Sequence, residues 1–558
     1  MARDLSLVRA LELPFRRPPD PVVDPSVLAG YLEDASGDVA GTASGLLRVS
    51  DEAEAAAFLR ATAGRGVPVL PQAARSSLTG GAIPRGEVVV SVERLTDFGP
   101  IERYERGARV TVAAGVRLHD LQRVAGEHGY YYPPVPTYDG AMIGGTASTN
   151  AGGAASFKYG VTRRWIQGLR VLLFNGDLLA IERGQVLARR GEGFRIVLSD
   201  GCELRVPVPD YRLPDLKKVS AGYYAADPLD MVDLFVGSEG TLGLITAVTL
   251  DLAPLPAGVV SGLTFVRDIG CGLSLAGALR EAAVEARART DPAGPDVRAI
   301  ELMDMRCLDL LRQHAGSRRL RVRIPAEAGA ALLFAMETDD RMSNLEVEAL
   351  LGALLEGGGG IPDGPLARLF AILRNHDALE GLEFAFPEDT RRQATLVEFR
   401  EAVPQRVNEI IAERRRLDSA VRKVGGDLIV PFERLPEMVR VYEEGFKGRG
   451  LSFAIWGHVS DGNLHPNALP RNAEEVERAE EALMEFAREA AVRGGCPLSE
   501  HGVGRSALKK RMLRAFLGDA ALESMLAVKR ALDPEGRFAP GVLLSTPFNA
   551  GETPNSIL

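Results

Sequence analysis

The sequence is poor in cysteine and histidine and lacks long apolar runs, and each shortage excludes a class of protein. Its four cysteines, Cys202, Cys271, Cys307 and Cys496, are scattered with no C-x-x-C spacing. That leaves neither a disulfide framework nor a thiolate site for zinc or an iron–sulfur cluster, so reduced, structural cysteines are expected. No run approaches the roughly 18 apolar residues that suggest a membrane span. The opening stretch MARDLSLVRALELPFRRPPD carries Asp4 and Glu12 and has no continuous apolar core, so it does not read as a signal peptide. An overall excess of basic charge is also wanting, although local basic clusters such as Arg414-Arg415-Arg416 occur. Lys and Arg total 66 against 75 Asp and Glu, a formal net charge of −9, which disfavours nucleic acid or an anionic membrane as a general partner. There is no internal repeat, and the one low-complexity stretch is Gly357 to Gly360, a loop by its glycines. These absences predict a soluble cytoplasmic protein, at most peripheral to the inner face of a membrane.

What is present is an ordinary globular composition, 46% hydrophobic and 25% charged over 558 residues. Length alone suggests three or four domains of about 150 residues each. Up to about residue 255 the chain is rich in strand and turn signals. Gly66 to Leu70 should end a short strand, 88–95 and 108–116 read as strands, and the pattern from Leu118 to Glu127 is helical up to a stop at Gly129. VLLFNGDLLAI and RIVLSDGCELRV each place two apolar runs around Asn-Gly or Asp-Gly, which predicts hairpins. From 256 to 422 Ala, Leu, Arg and Glu dominate, as in mixed strands and longer helices. An amphipathic helix follows at 471–493, with Asn472 as N-cap and Gly494 as stop.

Three glycine-containing segments lie in the strand-rich half. PQAARSSLTGGAIP (71–84) follows a strand with small and hydroxylated residues, as a loop presenting amides to phosphate would, yet Ala73, Ala74 and Arg75 stand where glycine is more usual. Alone it reads as an ordinary surface turn sooner than as a nucleotide loop. TYDGAMIGGTASTNAGGAASFKYG (137–160) sets two glycine pairs around Ser148, Thr149 and Asn150, and can wrap an extended anionic ligand with amides and short donors. VGSEGTLGLITAVTL (236–250) leads into a β-branched strand and not a helix, so a Rossmann reading fails on context.

In the second half, three of the seven histidines fall close together: His458, His465 and His501. His458 and His465 flank the turn-forming SDGN, so two adjoining strands could aim them at one point, and Glu500 precedes His501. Two imidazoles and a carboxylate suit a divalent transition metal, while a pair of histidines satisfying a hairpin is the plainer alternative.

Taken together, PQAARSSLTGGA, YYYPPVPTYDGAMIGGTASTNAGGAASFKYG, VGSEGTLGLIT, WGHVSDGNLH, SEHGVGR and the tail LDPEGRFAPG resemble the vanillyl-alcohol-oxidase-type FAD flavoproteins. The likeness is to the branch that holds D-lactate dehydrogenase, D-2-hydroxyglutarate dehydrogenase and the glycolate oxidase flavin subunit, and it runs from about residue 40 to 545. It implies an α+β fold in which a two-subdomain FAD-binding module (37–255) follows an N-terminal extension (1–36). A substrate or cap domain with an antiparallel sheet (256–545) comes next, its C-terminal helical part returning to the flavin, and then a tail (546–558). It implies FAD-dependent oxidation of a D-2-hydroxy acid such as D-lactate, D-2-hydroxyglutarate or a glycolate-like acid. The electron acceptor would be a quinone, a cytochrome or an electron-transfer flavoprotein, and the assembly a homodimer.

The resemblance also assigns residues. FAD would be held, non-covalently because the first loop has no His or Cys, by Gln72, Ala73, Ala74, Arg75, Ser76 and Ser77. Further contacts would come from Pro134, Thr137, Gly144, Gly145, Ser148, Thr149, Ala151, Gly152, Tyr159 and Gly160, and from Glu239, Gly243 and Ile245. His458, His465 and Glu500 would ligate zinc, manganese or iron, His501 would be the proton acceptor, and Arg400 would grip the substrate carboxylate. Lys423 is a weaker candidate, because its spacing from Pro431 departs from the hydroxyglutarate enzymes. Gln72 to Arg75 replace an Arg and three glycines, with Arg75 as a compensating charge, and Ala539 and Val542 replace Asn and Lys of the tail motif. Two other readings share the fold: an alkylglycerone-phosphate-synthase-like FAD transferase, whose tail carries a run of histidines where Ser499-Glu500-His501 stands here, and a non-catalytic flavin-binding subunit of a larger complex.

Overall fold

The computed structural model describes residues 5–313, 321–338, 352 and 363–545. The glycine run 357–360 and the tail 546–558 lie outside the described residues. The chain forms two compact units, one of 1–152, 161–254 and 498–558, the other of 153–160 and 255–497.

The first unit is built around two sheets. Gly45–Arg48, Val88–Ser91 and Val69–Gln72 form a parallel three-stranded sheet with Val88–Ser91 at its centre. Its strands read as short continuous apolar runs because both faces are covered: Leu46, Val69, Val89 and Val90 are at most 1% exposed. The helix Glu52–Thr62, capped by Asp51 accepting from the Glu54 amide, packs Phe58 and Leu59 onto it. The second sheet is antiparallel, in the order Glu102–Tyr104, Gly107–Ala113, Leu244–Pro254, Ile166–Leu172, Leu178–Glu182. The two Gly-centred hairpins form as expected, with Leu172 opposite Leu178 and Val197 opposite Glu203, and with Gly176 and Gly201 at φ 82° and 88°. The C-terminal segment completes this unit. Val69 and Ala539 exchange backbone bonds with Arg537 and Val69, both 2.7 Å, and Phe538 enters the same core at 0% exposure.

The second unit has an eight-stranded sheet. Its order is Glu383–Ala385, Gly258–Val266, Ala330–Thr338, Asp296–Asp304, Phe453–Gly457, Asn463–Ala468 and Val424–Gly425, with Leu428–Ile429 also paired to Asn463–Ala468. The helix Thr390–Leu417 lays Leu396, Phe399, Val403, Val407 and Ile411 on one stripe against that sheet, at the three- and four-residue spacing of a buried face. Arg400 falls on the same stripe and is buried with it. The helix Ala473–Val492 starts at Asn472, whose side chain accepts from the Glu475 amide, and Gly494 follows its end at φ 76°.

Candidate functional site

In the first unit, the three glycine segments meet one another and the Gly502–Arg505 turn. The loop after Val69–Gln72 is braced from behind: the Gln72 amide donates to the carbonyls of Tyr31 (2.9 Å) and Ala82 (2.8 Å). Arg75 takes a left-handed φ of 59°, and its guanidinium lies 4.8 Å from the centre of the Tyr31 ring. Ser77 Oγ accepts from the amides of Thr79 and Gly81, both at 3.2 Å, while Ser76 is exposed. Ala73 lies so close to the helix Ile143–Thr149 that a Cβ on Gly145 would meet its methyl at 3.1 Å. Gly144 is equally confined, with Ala114 at 2.6 Å from such a Cβ. Ser148 and Thr149 turn their hydroxyls back onto the carbonyls of Gly144 (2.8 Å) and Gly145 (3.0 Å).

The third segment closes over the end of that helix. Gly237 and Glu239 donate their amides to Ala147 and Ser148 at 3.0 and 2.8 Å. Glu239, at φ 54°, sends its carboxylate to the amides of Val503 (2.9 Å) and Gly504 (2.7 Å). Burial raises its pKa, and those two amides oppose the rise. Gly504 has no room for a side chain, since a Cβ would sit 2.3 Å from the Thr79 carbonyl. Ala151 accepts from Thr162, Gly152 ends this stretch of the unit, and Ile245 is 5% exposed in its strand. Gly243 packs its backbone against Val171. Pro134 is buried and Thr137 exposed. Ala539 and Val542, the departures in the tail, are each 2% exposed.

The same unit holds Glu500 and His501. Glu500 is 9% exposed and pairs with Lys218 Nζ at 2.9 Å, a lysine that is fully buried. His501 Nε2 lies 3.6 Å from Glu500 Oε1, and its side chain is 28% exposed. Nothing in the sequence marks Lys218, one of two adjacent lysines with no motif around them.

In the second unit, His458 follows the strand Phe453–Gly457 and His465 lies within Asn463–Ala468. The intervening SDGN forms a turn, with Gly462 at φ 85°. It brings the two rings to 5.5 Å between centres, at 86°. His458 Nδ1 is hydrogen-bonded to Glu301 Oε1, and Glu301 Oε2 accepts from Arg400 Nε at 2.7 Å. His465 Nδ1 lies 3.7 Å from Asp427 Oδ1, which also accepts from Asn463 Nδ2 at 3.2 Å. Glu301 and Asp427 were not singled out by the sequence; the Asp-Gly-Asn turn drew attention to the histidines, and their acidic neighbours come from distant strands. Lys423 donates to Asn408 at 3.2 Å and lies 6.0 Å from the Trp456 ring, and burial pushes its pKa down to about 8. Tyr159 and Gly160 belong to this unit, where the Tyr159 hydroxyl donates to Glu337 at 2.6 Å, and Lys158 joins Asp296 and Glu337.

Two family models match the chain side by side: an FAD binding domain over residues 43–182 and the C-terminal domain of FAD linked oxidases over 274–543. The chain is 27% identical to glycolate oxidase subunit GlcD of Bacillus subtilis, covering 86% of this chain and 84% of that one. It is 27% identical to mitochondrial D-2-hydroxyglutarate dehydrogenase of Rattus norvegicus (93% and 81% covered) and 25% identical to D-lactate dehydrogenase of Archaeoglobus fulgidus (89% and 90%). Among solved structures an alkyldihydroxyacetonephosphate synthase superposes with a TM-score of 0.55 at 14% identity, covering 90% of this chain and 77% of that one. The described residues contain no helix long and apolar enough to cross a membrane. With both domain models in chain order on an α+β fold, the chain is an FAD-dependent oxidoreductase of the vanillyl-alcohol-oxidase type.

Proposed function

We propose that the chain oxidises a D-2-hydroxy acid, of the D-lactate, D-2-hydroxyglutarate or glycolate-like kind, to the 2-oxo acid with the help of a divalent cation. The observation that carries this reading is the pair of buried histidines, 4% and 6% exposed, each with a carboxylate against its Nδ1 edge. That donor set fits a cation such as zinc, manganese or iron, which prefers imidazole nitrogens oriented by outer carboxylates. His458, His465 and Glu500 are the ligands we assign, with Asp427 as a further oxygen beside His465. FAD fits the first unit's loop, which offers amides, Ser76 and the cation Arg75 and carries no acidic side chain, and it would be held without a covalent bond.

Bound FAD supplies the acceptor for the hydride that leaves Cα, and a bound cation polarises the hydroxyl and carboxylate of the substrate. The protein does the rest. Arg400 offers a permanent cation to the substrate carboxylate. A ring nitrogen of His501 takes the hydroxyl proton as the C=O bond forms, so that one hydride and one proton leave the alcohol together. The loop 71–84 would hold the cofactor's phosphates through backbone amides, Ser76 and Arg75, and Glu239, Gly243 and Ile245 would add contacts. The transferase reading is disfavoured by Ser499-Glu500-His501, because the likeness to the synthase is one of fold. A non-catalytic subunit would have no use for the histidine and carboxylate set.

The test is turnover of D-2-hydroxy acids with an artificial dye acceptor before and after chelation. We expect chelation to abolish turnover, leave FAD in place and be reversed by zinc or manganese. A preparation that is fully active and free of metal by elemental analysis would refute cation assistance.

A further inference from the structure

We propose that Glu301 is a positioning residue that fixes the tautomer of His458, so that Nε2 carries the lone pair offered to a divalent cation. This rests on the cation-assisted reading above. Glu301 lies on Asp296–Asp304, a strand inside the second unit's sheet and next to Phe453–Gly457, which leads into His458. Glu301 and His458 are each 4% exposed and Arg400 is 8% exposed. Glu301 bridges the other two: Oε1 faces His458 Nδ1, and Oε2 accepts from Arg400 Nε at 2.7 Å.

The chemistry of these three groups leaves little freedom. An ionised carboxylate only accepts hydrogen bonds, so the nitrogen facing it must carry the hydrogen. A neutral imidazole has one N–H, and with that hydrogen on Nδ1 the lone pair is on Nε2. Arg400 Nε donates to the other oxygen of Glu301 at 2.7 Å, a charge-assisted contact that sets the guanidinium against the carboxylate in a buried site. Glu301 in turn holds the guanidinium by its Nε edge, which orients the remaining N–H groups of Arg400. One carboxylate thereby sets both a ligand nitrogen and an arginine that are distant in sequence.

The discriminating variant is Glu301→Gln. Its amide carbonyl can accept from Arg400, and its NH2 then faces His458 Nδ1, which must become the acceptor. The ring hydrogen moves to Nε2 and blocks it. We expect zinc and manganese affinity, measured on the FAD-loaded protein by competition with a chromophoric chelator, to fall about 10- to 100-fold, with FAD content unchanged. In a His458→Asn background the same change should have almost no further effect on affinity. Wild-type affinity in Glu301→Gln would overturn the proposal. Should that variant fail to fold, the wild-type protein labelled with nitrogen-15 histidine decides: long-range proton–nitrogen spectra, assigned against His458→Asn, should show His458 protonated at Nδ1, and an Nε2–H tautomer in the metal-free protein would overturn it. A wild-type protein that binds no cation and whose flavin no hydroxy acid reduces would instead refute the underlying reading, and is distinguished by that double failure.

Discussion

At the scale of single residues, the account depends on groups whose neighbours change what they can do. His501 adjoins Glu500 in sequence, lies 3.6 Å from its carboxylate and keeps 28% of its side chain exposed, and it is the base we propose for the substrate hydroxyl. Replacing it by asparagine keeps some hydrogen bonding and removes the basicity. We expect His501→Asn to slow flavin reduction by about 100- to 10,000-fold in anaerobic stopped flow, with FAD and metal content unchanged. Reduction at close to the wild-type rate would place the base elsewhere. Lys423 gives a pH signature. Its pKa falls from 10.5 to about 8 through burial, so between those values the unfolded chain holds a proton that the folded chain has shed. Stability from this group is therefore present at high pH and lost as pH falls through 8. Relative to Lys423→Met, the wild type should gain at most roughly 3 kcal/mol between pH 7.5 and 10.5 in urea unfolding. Parallel pH profiles for the two proteins would show that the lysine is not desolvated.

At the scale of elements, the glycine segments work by letting backbones approach one another. Glu239 is the tie: its carboxylate spans to the amides of Val503 and Gly504, and a Cβ on Gly502 would come within 3.0 Å of it. Glutamine can accept only one of those amides well and sets an NH2 against the other. Glu239→Gln should therefore cost about 1–3 kcal/mol, seen as a melting temperature several degrees lower and faster amide exchange in 501–505. An unchanged melting curve would mean that the turn is held by other contacts. Much at this scale was legible in the sequence. Asn175-Gly176, Asp200-Gly201, Asn472 and Gly494 mark their turns and caps by local chemistry, and the SDGN turn does join two neighbouring strands, with His458 just past the end of one and His465 on the other. Local chemistry could not show Glu301 or Lys218. An acidic or basic side chain reads alike in a sequence whether it faces water or an arginine 99 positions away. Arg400 shows the same limit: the stripe that buries it is visible, but only its partner explains how a guanidinium tolerates that face.

At the scale of the whole chain, the order of the motifs was the most informative feature, since each glycine segment alone passes for a turn. The resemblance implies that the C-terminal helical part returns to the flavin-binding module, and 498–545 do fold with the first unit; that 153–160 fold with the second is not legible in the sequence. Such exchanges depend on long-range packing, as when Phe538 enters the core around Val69. The central claim, oxidation of a D-2-hydroxy acid by the bound flavin, is tested most directly by adding single hydroxy acids to the FAD-loaded protein without oxygen or any other acceptor and following flavin absorbance. The account predicts that at least one D-2-hydroxy acid, or glycolate, bleaches the flavin fully, that the matching 2-oxo acid appears in equal amount, and that L-enantiomers react far more slowly. A flavin that stays oxidised across the whole panel, in protein loaded with both FAD and zinc or manganese, would contradict it.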